Sequence, residues 1–323
     1  MSRSFTDESD VEFVCNDLRA GSTGPGMSRP RRICADDTVM KQKRCYNREL
    51  RLRPDRIVVQ IILYALAYTA QKYSIVLHEF CVLGNHDHLI FSDPKADRPA
   101  FIGLFHSLVT RAVNNAFGEW DSLWSSQPYS APRMLSPADM LRKIVYVLLN
   151  PVAAKLVRYA WEWGGPSSWG LEYGVPLPIK RPAAFFSDDM PEVVELVIHR
   201  PPGLRPDLSD RDLRAFIREE TKRQQGDLVA KILAQGGSFL GMQRVLKQPR
   251  HDRPSSSGGH FTIRPTVIAG DRQKRIDALA EEAAFRAEHE RCRQAFITGD
   301  RNVVFPYGTY LMRVRIGCAC ASP

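Results

Sequence analysis

The run from Ile75 to Ser92 constrains the fold more than any other part of the chain. Ile75 to Leu83 and His86 to Ser92 read as two strands, and the Gly84-Asn85 pair between them suits the tight turn of a hairpin. Side chains alternate between the two faces of a strand. His86, His88 and Ile90 therefore share one face, and Asp87, Leu89 and Phe91 share the other. Leu89 and Phe91 need burial, so their face is predicted to lie under helices while both imidazoles stand on the opposite one. Two such rings can grip one metal ion.

The flanking segments supply a layout. Thr38 to Tyr46 alternates as a strand, and Pro54-Asp55 opens an apolar helix running to about Tyr73. Beyond the hairpin, Phe101, Phe105, Leu108 and Ala112 recur at helical spacing within a second helix, about Pro99 to Phe117. A weaker strand near Gln127 to Leu135 comes next. Ser136-Pro137-Ala138-Asp139 has the form of an N-cap with an acidic first turn, launching a third helix to about Leu149. The order β-α-β-β-α-β plus one helix predicts an α+β, ferredoxin-like antiparallel sheet. Two helices would cover one face and leave the other open for a ligand.

The third helix carries the second chemical signal. At about 100° per residue, Leu141, Ile144, Val145, Leu148 and Leu149 form one apolar stripe, with Asp139, Arg142, Tyr146 and Asn150 on the polar side. Tyr146 and Asn150 are one turn apart and able to meet one ligand. By itself this also describes an amphipathic tyrosine and an asparagine that ends a helix before Pro151. A metal-gripping pair together with a tyrosine suggests attack on a phosphodiester.

At 323 residues and 36.6 kDa the chain is long enough for one core and a smaller second module. Its net charge of +9 and pI near 9.3 point to polyanionic partners, a balance shared by ribosomal and membrane-surface proteins. Seven scattered cysteines argue for a reducing cytoplasm rather than a disulfide framework, and Cys318 and Cys320 lack the neighbours a zinc site needs. The most apolar stretch, Ile57 to Ala67, is too short to span a bilayer, and no membrane partner is expected. Residues 1–34 are polar and expected to be disordered, with Met27 a second candidate start before a basic run. A core domain over residues 35–175 is expected to be followed by a proline-rich linker, 176–208, and a helical basic region, 209–323.

In that last region three helices are predicted, around Leu213 to Ile217, Leu228 to Leu233 and Phe239 to Leu246. The Gln235-Gly236-Gly237-Ser238 turn has the spacing of a helix-turn-helix, which would put Gln243, Arg244, Lys247 and Gln248 on a reading helix; an ordinary small bundle with solvated charges is the other reading. Asp271 to Ile297 reads as a long charged helix. The tail Val303 to Arg315 mixes basic and aromatic residues, which suits base stacking or an edge strand.

The motifs Asn85-His86-x-His88-Leu89 and Tyr146-x-x-x-Asn150-Pro151-Val152, with the Trp163 to Trp169 stretch containing Ser167-Ser168, resemble the REP-associated tyrosine transposases, single-tyrosine relatives within the HUH endonuclease superfamily. The resemblance covers about residues 36–170. It implies a metal-dependent single-stranded DNA nuclease and strand transferase acting at hairpin sequences. Tyr146 would be the nucleophile that forms a 5′-phosphotyrosine, and His86, His88 and Asn150 would bind Mg²⁺ or Mn²⁺. Hairpin or single-stranded DNA would be the partner, the protein a monomer or homodimer, and the setting cytoplasmic and nucleoid-associated. The basic residues expected to meet DNA are Lys41, Lys43, Arg44, Arg142, Arg244 and Lys247, although the first three suit plain solvent exposure equally well. His78 and His106 read as structural.

Asp87 departs from the hydrophobic residue usual between the two histidines, and alternation points it to the covered face, where an unpaired carboxylate is costly. That feature favours a second reading, a domesticated, non-catalytic DNA-binding protein. An RNA-binding role on the same sheet lacks the aromatic sheet motif of that class.

Overall fold

The computed structural model describes residues 30–254 and 265–323. The chain divides into two compact units, one of Asp36–Arg275 and one of Met1–Ala35 with Ile276–Pro323.

The larger unit is α+β. Its elements are β1 (Asp37–Arg44), α1 (Arg56–Lys72), β2 (Val76–Leu83), β3 (His86–Asp93), α2 (Arg98–Phe117), β4 (Arg133–Met134) and α3 (Pro137–Ala153). They continue with β5 (Leu177–Lys180), β6 (Val193–Leu196), α4 (Asp210–Ala234), α5 (Met242–Lys247) and β7 (Val267–Ile268). The main sheet runs β2-β3-β1-β4-β7. Its first three pairings are antiparallel, but β7 joins β4 in parallel, so the sheet is mixed where a purely antiparallel one was expected. The weak strand near 127–135 shrinks to the two residues of β4.

Register fixes what each face displays. Gln42 pairs with His88 and Arg44 with His86, so Thr38, Met40, Gln42 and Arg44 share the histidines' face. The other face buries Val39, Leu89 and Phe91 together with Phe101, Phe105 and Val109 of α2 and Ile61, Ile62 and Leu66 of α1. The histidine face is not left open: α3 packs across β2 and β3 there, burying Ile144, Val147 and Leu148. Ser136 caps α3 by accepting from the Asp139 amide at 3.2 Å, and the helix continues through Pro151 to Ala153.

Residues 176–208 are not a linker. β5 and β6 pair antiparallel, Leu177 opposite Leu196, and Ile179, Val194 and Leu196 are buried in the same core as the main sheet. Tyr64 of α1 donates to the Pro191 carbonyl at 2.5 Å and packs on Phe186. Strands of four residues, one of them containing Pro178, have little local signature, and long-range pairing builds them.

The first two helices expected beyond Ser209 are one 25-residue helix, α4. Gly226 does not interrupt it, because the polar residues on its inner face are bonded: Thr221 Oγ1 donates to the Ile217 carbonyl at 2.7 Å and Gln225 Oε1 accepts from the Ala160 amide at 2.8 Å. The third, α5, has only six residues, and the helix-turn-helix reading fails for want of a second full helix.

In the second unit, most of α6 (Arg272–Ile297) accompanies a buried cluster of Cys292, Phe296, Phe305 and Met312. Phe305 is fully buried, so that ring of the basic, aromatic tail is core rather than a stacking surface. Disorder expected for 1–34 falls on undescribed residues up to 29; Ile33 and Cys34 are buried, and the Ile33 amide donates to the Gly308 carbonyl at 2.9 Å. Gly308 is obligatory there, since its φ is +92° and a Cβ would stand 2.7 Å from Arg32 Cγ. Among the described residues no helix is long and apolar enough to cross a membrane.

Candidate active site

The strand alternation of β3 and the capped helix α3 bring three rings together. The His86 and His88 ring centroids are 4.8 Å apart, and the Tyr146 ring stands edge-on to His88 with centroids 5.6 Å apart. Tyr146 is 44% exposed although its helical neighbours Val145 and Val147 are buried, so the side chain stands partly open to solvent beside the imidazoles.

Both imidazoles are neutral bases. Burial lowers His86 to about 4, with Asp87 opposing and Arg44 and Arg48 adding to the shift. Burial likewise holds His88 well below its ordinary value, with the neighbouring His86 ring adding to it. Asn85 Oδ1 lies 2.7 Å from His86 Nδ1, and its Nδ2 donates to the Arg48 carbonyl at 3.2 Å. That carboxamide therefore accepts from a protonated Nδ1 and leaves Nε2 as the free lone pair. Both nitrogens of His88 are buried without a hydrogen-bond partner in the described protein. A buried imidazole with two orphaned nitrogens beside a tautomer-fixed second one is a donor pair suited to a divalent cation. Among the described residues no cluster of three or more His, Cys, Asp or Glu could hold a metal, so the pair would need ligands from a substrate, water or an amide.

Asn150, the expected third ligand, is buried and turned to Tyr146: its Nδ2 donates to the Tyr146 carbonyl at 3.0 Å. Burial pushes the Tyr146 phenol above its ordinary value, and the Asn150 carboxamide and the Arg44 charge oppose that rise. Lys143, which the sequence reading passed over, puts Nζ 5.0 Å from the Tyr146 ring centroid; burial pulls its ammonium below the ordinary lysine range, with Arg142 adding to the effect. Its position three residues before Tyr146 was the available signal. Asn85, expected only as a turn residue, also orients His86, a role signalled by their adjacency.

The basic residues separate. Arg44 is exposed, paired in register with His86, and acts on Tyr146 and both imidazoles through its charge. Lys41 is not at the surface: it is fully buried on the helix-covered face, ion-paired to Asp87 and 2.7 Å from His106 Nε2. Lys43 is drawn to the same side, where Nζ donates to the Ser125 carbonyl at 2.7 Å and its amide donates to Asp87 Oδ1 at 2.8 Å. Neither lines the histidine face. Arg142 is ion-paired to Asp139 and lies against Gly270. Arg244 donates to the Leu240 carbonyl at 2.7 Å on the short α5, and Lys247 is exposed there.

Asp87 is satisfied on the covered face. Burial alone would raise its carboxyl, but the adjoining Lys41 ammonium and His106 outweigh it and hold the group well below the usual carboxylate range. His78 is buried on the histidine face of the sheet and His106 is part-buried on the helix-covered one. His78 Nδ1 donates to the His199 carbonyl at 2.9 Å while Nε2 accepts from Ser92 at 2.8 Å, a structural role.

The Trp163 to Ser168 segment borders β2. Trp163 Nε1 donates to the Val82 carbonyl at 3.1 Å, the Val82 amide to the Pro166 carbonyl at 2.8 Å, and Ser167 bridges Cys81, the register partner of His88. A side chain at Gly165 would collide with the Trp163 ring at 2.4 Å, so only glycine passes there.

No family model matches the chain, and no curated protein matches it. Among solved structures, the chain is similar to one described as a REP-associated tyrosine transposase bound to a REP hairpin. The match has 18% identity and a TM-score of 0.37, and covers 44% of this chain and 82% of that one. A likeness of that size decides neither fold nor activity.

Proposed function

We propose that the Asp36–Arg275 unit is a single-tyrosine HUH-type nuclease and strand transferase acting on single-stranded or hairpin DNA. The observation that carries this reading is the contiguity of His86, His88 and an exposed Tyr146, with the His88 nitrogens buried and unbonded. The run β4-β1-β3-β2 within the mixed sheet is compatible with a ferredoxin-like platform, which supports the same reading. His86 and His88 would hold Mg²⁺ or Mn²⁺. When bound, such a cation polarises a phosphodiester and offsets the charge that develops on it.

The residues then have separate tasks. Tyr146 Oη attacks phosphorus, an O–P bond forms, the P–O3′ bond breaks, and the products are a 5′-phosphotyrosine and a 3′-oxygen that takes up a proton. The phenol's proton would pass to solvent, and the Lys143 ammonium, with Nζ 5.0 Å from the Tyr146 ring centroid, would favour the phenolate by its charge. Asn150 and Arg44 favour the phenolate against the burial that opposes it. Because the phosphoester energy is kept in the protein link, rejoining needs no nucleotide cofactor. Arg44 would also meet a DNA phosphate.

The test is adduct formation. Incubating the full chain with Mn²⁺ and genomic hairpins flanking its gene should give a covalent protein–DNA species. Tyr146→Phe should abolish it, and Lys143→Met, which removes the charge over the Tyr146 ring, should slow its formation. Hairpin binding that survives EDTA and His86→Ala, with no adduct at any flanking site, would select the non-catalytic DNA-binding reading instead.

A further inference from the structure

Between α3 and β5 three aromatic rings stand in a row. Tyr159 and Trp161 are stacked with centroids 4.7 Å apart and planes 4° from parallel, and Trp169 continues the row 6.0 Å from Trp161. Trp161 remains 48% exposed, an unusual place for an indole that has a core beside it.

The backbone under the rings is fixed from several directions. Glu162 accepts from the Arg158 and Tyr159 amides at 3.1 Å, and the buried Gln225 of α4 accepts from the Ala160 amide between the two stacked rings. Trp169 packs from one side on the cluster of Val152, Ala160 and Val229. The row is thus held in place without its outer rings being buried.

Its surroundings and position suggest a ligand. The Arg158 guanidinium is 5.6 Å from the Tyr159 ring centroid and exposed Lys155 lies just upstream in sequence, while one oxygen of the Glu162 carboxylate accepts from two backbone amides. Trp169 is two residues past Ser167, which bridges the strand next to His88. At the other end, Tyr146 is two helical turns before the end of α3 from which the segment departs. Flat rings with a guanidinium at one end match a chain of phosphates carrying flat bases.

We propose that Tyr159, Trp161 and Trp169 form a stacking platform for unpaired bases of single-stranded DNA leading to the His86, His88 and Tyr146 site. The platform rests on the reading of DNA as ligand and not on cleavage. Base stacking is indifferent to sequence, so the platform grips whatever unpaired strand flanks the reacting phosphate.

The experiment is anisotropy of a labelled oligothymidylate with the full chain in EDTA, beside an oligonucleotide of abasic sites with the same number of phosphates. Trp161→Ala should weaken oligothymidylate binding about tenfold, Trp161→Phe should keep most of it, and the abasic strand should bind wild type and Trp161→Ala alike. Equal binding of oligothymidylate by wild type and Trp161→Ala would overturn the platform. So would wild-type binding of the abasic strand as tight as that of oligothymidylate, a comparison that needs no variant to fold, or no binding of either strand. Base-dependent binding without a Tyr146 adduct would sink the nuclease reading and leave the platform standing. An adduct with base-independent binding would do the reverse.

Discussion

Asp87 holds a negative charge where there is no water, and Lys41 makes that tolerable. Lys41 sits diagonally across from it on β1, two pairs along from the Lys43–Asp87 register, and both side chains are essentially inaccessible. Replacing Lys41 with methionine would leave a buried carboxylate without its counter-ion, a loss of about 3–5 kcal/mol. Urea denaturation should report that loss for Lys41→Met, and Lys41→Met combined with Asp87→Leu should recover most of it. Equal stability of Lys41→Met and wild type would mean that the pair does not carry the charge as described. The alternation of β3 was enough to assign Asp87 to the covered face. Its partner was not legible, because a lysine on a neighbouring strand reads as a surface residue until the pairing register is known.

At the scale of elements, α4 is tied to the sheet by a second buried pair. Arg214 Nη1 donates to Glu79 Oε2 at 2.7 Å with both side chains fully buried; Ser168 donates to the same carboxylate, and Arg214 Nε donates to the Leu171 carbonyl at 2.8 Å. Arg214→Met should cost about 3–5 kcal/mol by stranding Glu79, and amide exchange should speed up first in β2 and in the 163–173 segment that β2 supports. Loss confined to α4 would contradict that coupling. The helices α1, α2 and α3 were legible because each shows an apolar stripe with a proline near its start. The break expected between Ile217 and Leu228 is absent from α4: packing and the bonds of Thr221 and Gln225 outweigh the local cost of the glycine at 226.

At the scale of the whole molecule, buried imidazoles set the response to acid. Burial lowers His78 to about 4 from 6.5, its bond to the His199 carbonyl opposing, and His106 is lowered to a similar value. Below pH 6.5 the unfolded chain takes up protons that the folded one refuses, so stability should fall as pH drops from 6.5 toward 4 and level off below. The share of His78 is on the order of 3 kcal/mol. Urea midpoints at pH 7 and pH 4.5 should show the drop, and His78→Gln should be less stable at pH 7 but visibly less pH-sensitive. An unchanged slope in His78→Gln would remove this residue from the account.

The sequence alone determined the local patterns: the hairpin, the shared face of His86 and His88, the helix that carries Tyr146, and an overall α+β class. Each follows from a period of two or of 3.6 residues and from turn and cap residues within a few positions. Tertiary structure decided what those patterns meet. It brought Tyr146 to the edge of His88, turned Asn150 toward Tyr146, took Lys41 out of solvent, made 176–208 part of the core, and added a parallel strand from residue 267. These outcomes depend on contacts between residues far apart in the chain, where burial and pairing outweigh local propensity, and no short window of sequence contains both partners.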